Sequence, residues 1–343
     1  MRRWPAALLV VLGACDAADA ARDRGAWPAP SGPMPADDPA VARQAALGRL
    51  LFYDPILSAD GETACATCHS EIWGMGDGLP RSIGLGGGAL TGPGREGPNV
   101  LPRNAPSLWN VAFRPELFWD GREASLEALA LIPLAAPDEL GVDPDEAVAR
   151  LGRVPEYVTL FEAAFAGGAE PVTRDRLLAA LAAFQRTLVS DDALWDAWME
   201  GDRAAMSDEM ARGWRVFQDV GCDGCHVPPT FMSRGYARRD PAAQDPGRFV
   251  VTGREADRGA FRVPSLRNAR ETAPYFHDGS VATLEGAIRR ELAVDGVALA
   301  DADVAALVAF LGRALVDRSR EPDRPEVVPS GLPVPLDGFR IPR

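Results

Sequence analysis

Apolar residues recur at helical spacing in VARQAALGRLLFYD, where Val41, Ala45, Leu47, Leu51 and Phe52 fall near one face and predict an amphipathic helix. Two later segments, LLAALAAFQRTL around Phe184 and VAALVAFLGRAL around Phe310, predict Ala- and Leu-rich amphipathic helices of the same kind. Between the first helix and the second lies GMGDGLPRSIGLGGGALTGPG, which carries neither period and predicts loop. Such a loop is either a flexible connector or a backbone that approaches a bound group. Residues 16–40, rich in Ala, Pro and Asp, read as an extended linker, and residues 317–343, dense in Pro and charge, as an extended tail wrapped on the surface or left loose. No strand period competes with these helices, so the chain is expected to be all-α.

The pattern also repeats. APSLWN from Ala105, running on to FWDGREASLEAL, returns as VPSLRN from Val263, running on to YFHDGSVATLEGA. Pro106 and Pro264, Trp119 and His277, Asp120 and Asp278, and Leu126 and Leu284 all stand 158 residues apart. The terminal helices around Phe184 and Phe310 stand only 126 apart, so the first half carries about thirty extra residues between roughly 141 and 172. The expected organisation is two tandem domains, 41–195 and 196–316.

Each copy carries one chemical motif. CATCH at Cys65, Cys68 and His69 recurs as CDGCH at Cys222, Cys225 and His226, 157 residues later. Two cysteines three apart, followed at once by histidine, match covalent haem attachment: the thiols form thioethers and the imidazole ligates iron. A zinc half-site or a CxxC redox pair is the alternative for one such pentapeptide. The chain has five cysteines and three histidines, and the two motifs use all but Cys15 and His277. Zinc would lack its second cysteine pair, and a redox pair has no use for the trailing histidines. Two covalent haems c are therefore expected, in two class I cytochrome c-like domains.

The start, MRRWPAALLVVLGAC, has a basic and then a short apolar region and reads as an export signal over residues 1–15. LGAC at Leu12 to Cys15 resembles a lipobox, which would make Cys15 a lipid anchor; the other reading is an ordinary cleaved signal with a chance cysteine. Either places the chain in the periplasm, where thioether attachment of haem takes place. No apolar run after residue 15 is long enough to cross a bilayer. A net charge of −13, with every cation an arginine, excludes a nucleic-acid partner, since no basic stripe exists to neutralise phosphates.

The duplication makes each half a control for the other. Both irons gain a proximal histidine, so function must lie in how the distal sides differ. Pro133 in the first half aligns with Glu291 in the second. Proline offers iron no lone pair, which leaves the first haem an open position for a small ligand. His277, whose repeat partner is Trp119, reads as a supporting or inter-domain group.

The set CxxCH, RNAPSLWN, FWDGR, a second CxxCH and PSLRN with PYFHDGS resembles the bacterial di-haem cytochrome c peroxidase and MauG family over about 41 to 315. HSEIWGMGDGLPRSIGLGGG, VPSGLPVPLDGFRIPR and Glu291 look most like its MbnH branch, MauG-like enzymes acting on tryptophan in a partner protein. The resemblance implies a hydrogen-peroxide-dependent oxidoreductase whose high-valent iron state is shared by two haems through Trp119, and which oxidises an aromatic residue of a partner. Detoxification of peroxide with electrons from a small redox protein is the alternative. A plain electron carrier would need both irons six-coordinate.

Further roles come with the resemblance. Glu139, twenty residues after Trp119, stands where the family's glutamate handles the peroxide proton. The family's distal glutamine falls on Leu129, so this chain departs there. A calcium ion between the haems is held in the family by an asparagine side chain and two backbone carbonyls, which map to Asn104, Thr272 and Pro274; oxygen donors of low charge suit calcium. The second haem's distal ligand falls on Glu291, with Met232 as the rival candidate.

Overall fold

A computed structural model describes residues 25–239 and 244–337. The expected signal peptide, the lipid anchor at Cys15, the start of the linker and the last six residues lie outside the described residues.

Eleven helical segments appear among the described residues. In the first half they are α1 (Pro39–Tyr53), α2 (Cys65–Cys68), α3 (Leu126–Ala135), α4 (Pro144–Gly152), α5 (Pro155–Ala164) and α6 (Arg174–Gln185). In the second they are α7 (Leu194–Met199), α8 (Asp208–Asp219), α9 (Phe249–Thr252), α10 (Leu284–Val294) and α11 (Asp301–Ala309), which runs on into a π turn over Phe310–Ala314. Four two-residue strands make two small ladders. β1 (Leu90–Thr91) pairs with β4 (Leu336–Asp337) in parallel, and β2 (Tyr236–Ala237) pairs with β3 (Phe261–Arg262) antiparallel.

Helix starts follow side-chain capping. Asp38 accepts from Ala40 N, Ser125 from Ala128 N, Thr173 from Arg176 N, Ser207 from Met210 N and Thr283 from Gly286 N. The expected face of α1 is the buried one, with Val41, Ala45, Leu47, Leu51 and Phe52 all inside. The thirty residues extra to the first half are α4 and α5, which pack Leu151, Tyr157 and Phe161 into the first core.

Among the described residues there are two large cores. One runs from Leu47 to Leu188, and the other from Trp195 to Leu315. Each is nailed together by the same contact. Gly48 of α1 lets α6 approach until a Cβ there would fall 1.9 Å from the Ala180 carbonyl oxygen; Gly213 of α8 does the same to Ala306 of α11 at 2.0 Å. The asparagines of the repeated motif also act alike. Asn110 donates its N–H to Leu188 O and exchanges side-chain bonds with Ser190, while Asn268 donates to Leu315 O and exchanges bonds with Asp317. Each holds the end of its domain's last helix against the loop that follows the histidine motif.

The tail is neither loose nor confined to the surface. It leaves the second core and returns to the first, burying Val328 and Val334 there. Arg324 makes a buried ion pair with Glu71 at 2.9 Å, Ser330 donates to Asp54 at 2.7 Å, and Trp73 Nε1 donates to Asp337 at 3.0 Å. At the other end, Trp27 packs on Phe113 with ring centres 4.9 Å apart and Ser31 N donates to Ala112 O, while Gly25 abuts Pro228 and Arg267 lies 5.3 Å over the Trp27 ring, so this segment touches both halves.

Candidate functional site

Two cavities, one per half, open onto the two histidine motifs. Cys65 and Cys68, three apart on α2, both line the first with His69, which follows as the helix cap. His69 Nδ1 lies 2.9 Å from Met75 O, and His226 Nδ1 lies 3.1 Å from both Phe231 O and Pro264 O. A carbonyl accepts only from an N–H, so Nδ1 carries the proton and Nε2 keeps its lone pair for a metal. Burial favours the neutral imidazole in both, and holds His226 down to about 4. Burial likewise pushes the Cys65 and Cys222 thiols up to about 12, so neither is a reactive thiolate.

The first cavity, about 700 Å³, places Pro133 and Glu139 with His69. Among the described residues no histidine besides His69 lines it, and no methionine or tyrosine does. α3 ends in a turn in which Glu139 N donates to Ala136 O and Leu140 N to Pro133 O, so Pro133 and Glu139 are held as one unit. The Gly-rich loop sits directly on this turn: a Cβ on Gly84 would lie 1.9 Å from the Asp138 carbonyl oxygen. Arg95 then ties the loop down by donating to the carbonyls of Ile83, Gly84, Gly88 and Leu90. Of the two sequence readings, a loop brought against a site describes it, since Gly84 lines the cavity. Burial raises the Glu139 carboxyl above its ordinary range, Asp138 adds to the rise, and Arg122 opposes it.

The second cavity, about 1490 Å³, brings Cys222, Cys225 and His226 together with Trp119, His277 and Glu291. Glu291 accepts from Arg239 Nε at 2.7 Å, and Arg239 also grips Asp295. Burial raises the Glu291 carboxyl and Arg239 opposes the rise. Met232, buried next to Phe231 whose carbonyl faces His226 Nδ1, does not line this cavity. Trp119 borders the second cavity and not the first.

Sequence reasoning missed three groups. Gln185, on α6, lines the first cavity and carries a buried amide oxygen with no donor among the described residues. Arg114 and Arg262 are buried beside the second, with no carboxylate within ion-pair distance among the described residues. Arg262 lines the cavity, its Nη1 has no hydrogen-bond partner, and burial holds the guanidinium down to about 10. A polar residue inside an otherwise apolar helix was the only available signal for Gln185. Nothing in the sequence marks the two arginines.

Residues 42–204 match the family profile described as Di-haem cytochrome c peroxidase. The methylamine utilization protein MauG of Methylorubrum extorquens is 40% identical over 260 residues, which cover 75% of this chain and 70% of that protein. The chain belongs to the di-haem cytochrome c peroxidase and MauG family. The cytochrome c551 peroxidase of Nitrosomonas europaea is 37% identical over 76% of this chain and 75% of its own length. The crystal structure of a MauG-like protein associated with microbial copper homeostasis superposes with a TM-score of 0.73 at 31% identity, covering 87% of this chain and 97% of that one. The fold is thus the di-haem peroxidase fold of two cytochrome c-like domains, the enzyme is an oxidoreductase of that family, and its CxxC pairs are Cys65 with Cys68 and Cys222 with Cys225.

The residues present fit the family's haems. Each cavity pairs two cysteines with a histidine whose Nε2 is left for iron, and the buried Arg262, which lines the second cavity with Nη1 unpartnered, would suit a haem propionate. They also fit calcium. Asn104 donates its amide to Leu79 O, leaving Oδ1, and among the described residues no donor reaches the carbonyls of Thr272 or Pro274. These three line neither cavity, but Asn104 N donates to His277 O and binds its loop to that segment.

Proposed function

We propose that this protein is a periplasmic, hydrogen-peroxide-dependent oxidoreductase of MauG type that oxidises an aromatic residue, tryptophan above all, of a partner protein. The observation that carries this reading is the first cavity: His69 shares it with Pro133 and a carboxyl, and among the described residues no second histidine, methionine or tyrosine lines it. Cys65, Cys68 and His69 would hold one haem, which would supply an iron able to bind peroxide, and Cys222, Cys225 and His226 would hold another, which would supply a second redox centre.

The chain's own residues do the rest. Peroxide must lose a proton from one oxygen and gain one on the other before its O–O bond breaks. The Glu139 carboxyl does both, because burial brings its proton affinity toward the working pH. Leu129, where relatives of this type carry glutamine, gives no amide on that side; Gln185 offers one from α6. Trp119 provides an aromatic at the edge of the second cavity and couples the two centres. Glu291, which lines the second cavity, would bind the iron held there or stand as an anion beside it, and in either role its charge would favour oxidised iron. Asn104, Thr272 and Pro274 hold calcium near the backbone that carries Trp119.

Export fits the basic and apolar start, with Cys15 as the site of a lipid anchor. No helix among the described residues is long and apolar enough to cross a membrane. The MbnH branch is favoured by likeness to the copper-associated MauG-like protein. A second reading, a peroxidase drawing electrons from a small cytochrome, is favoured by likeness to a cytochrome c551 peroxidase. Mass gain on a partner protein treated with the enzyme and peroxide, set beside steady-state turnover with reduced cytochrome c, decides between them. Fast cytochrome turnover with no oxygen added to any partner rejects the modifying role.

A further inference from the structure

The chain has four tyrosines. Tyr53 and Tyr157 are wholly buried in the first core, and Tyr275 donates its hydroxyl to the Ala269 carbonyl, an acceptor that takes no proton. Tyr236 differs on both counts. It is partly exposed, and its hydroxyl donates to Glu116 Oε2 at 2.7 Å. Arg248 closes a triangle: Nη1 donates to the phenol oxygen at 2.6 Å, Nη2 to Glu116 Oε1 at 2.8 Å, and the guanidinium lies 4.0 Å over the tyrosine ring.

This triangle stands against the second cavity. Tyr236 of β2 pairs with Arg262 of β3, and both Arg262 and the neighbouring Ala237 line the cavity. Arg262 N donates to Trp119 O at 2.8 Å. The phenol oxygen rests on Gly121, two residues past Trp119, so closely that a Cβ there would lie 1.6 Å from it. The ring therefore spans from the Trp119 segment to solvent.

We infer that Tyr236 and Glu116 form a proton-coupled one-electron relay between the second redox centre and a reductant or protein substrate at the surface. The inference rests on the function proposed above and names its exit. Tyr236 gives one electron to the peroxide-oxidised haem pair, and its phenolic proton moves along the 2.7 Å bond to Glu116 Oε2. The surface reductant then returns one electron and Glu116 returns the proton, restoring the phenol. Peroxide takes up two electrons and two protons to give two waters, so two passages complete a turnover. The phenol keeps its proton at neutral pH because burial and Glu116 raise its affinity, with Arg248 opposing. An oxidised phenol is a strong acid, so electron loss needs an acceptor already in place. Glu116 is that acceptor, and Arg248 orients both partners.

The test is electron paramagnetic resonance of the ferric holoprotein frozen after mixing with hydrogen peroxide, on ordinary and ring-deuterated-tyrosine protein. A tyrosyl signal that narrows on deuteration and is lost in Tyr236→Phe is expected, with a spin-trap adduct mapping to the Tyr236 peptide. Glu116→Gln slows its appearance about 10²-fold or more, as expected for loss of a positioned base. A tyrosyl signal that survives in Tyr236→Phe, or none in protein whose haem absorbance responds to peroxide, overturns the relay alone. No response of the haem absorbance to peroxide overturns the proposed function, and the relay with it.

Discussion

The indole Nε1 of Trp119 donates to the backbone carbonyl of Asn104 at 2.9 Å. The same asparagine donates its own N–H to His277 O, so the ring at the edge of the second cavity is oriented by the residue proposed to hold calcium. Chelation of calcium from the holoprotein is expected to change the absorbance and reduction behaviour of the second haem, and Asn104→Ala to reproduce the change in untreated protein. A spectrum and potential indifferent to both would remove calcium from the site.

Glu139→Gln is expected to slow peroxide consumption by about 10² to 10⁴, the usual worth of a positioned acid-base group. As a base Glu139 must ionise, so the rate should rise with pH through its raised pKa, and this limb should vanish in the variant. Arg122 lowers that pKa, so Arg122→Gln should move the limb to higher pH. Stopped-flow pH profiles measure both, and an unchanged rate in Glu139→Gln would exclude the role.

The Arg324 and Glu71 side chains are 3% and 2% exposed, and Tyr53 donates to the same carboxylate. Removing the cation strands a buried anion, so Arg324→Ala should cost about 3–5 kcal/mol. Urea unfolding should show the loss, with the tail becoming open to proteolysis.

Gly48→Ala and Gly213→Ala each push a methyl into a backbone carbonyl across a helix pair. Each should destabilise its domain by at least the roughly 1–3 kcal/mol of an overpacked core. Far-UV thermal scans should report loosening of the first core in one variant and of the second in the other.

Glu291→Met removes a carboxyl that lines the second cavity with His226, proposed to act on the second iron, and breaks the bond with Arg239. A rise in the reduction potential of the second haem is expected, measured by spectroelectrochemical titration; a potential left where it was would show that Glu291 does not act on the iron.

Much of the site is legible as spacing. CxxCH is a contact between neighbours on one turn, so its meaning survives without a fold, and Glu139 is found through the family resemblance, which sets a glutamate twenty residues after Trp119. The extra residues of the first half are also legible as a change of offset, though not that they form α4 and α5. The tail was ambiguous because Pro and charge describe an exposed strap and a docked one alike; what distinguishes them is Glu71 waiting more than 250 residues upstream.

The sequence by itself determined the two haem motifs, the duplication and the difference between Pro133 and Glu291, since each is a matter of residue type at a fixed interval. Only the tertiary structure decided which groups meet: Gln185 and His69 in the first cavity, Arg262, Arg239 and Glu291 in the second, and Tyr236 with Glu116 beside it. Those pairings join segments of chain whose separation no local periodicity encodes. They exist because two packed cores bring together segments distant in the chain.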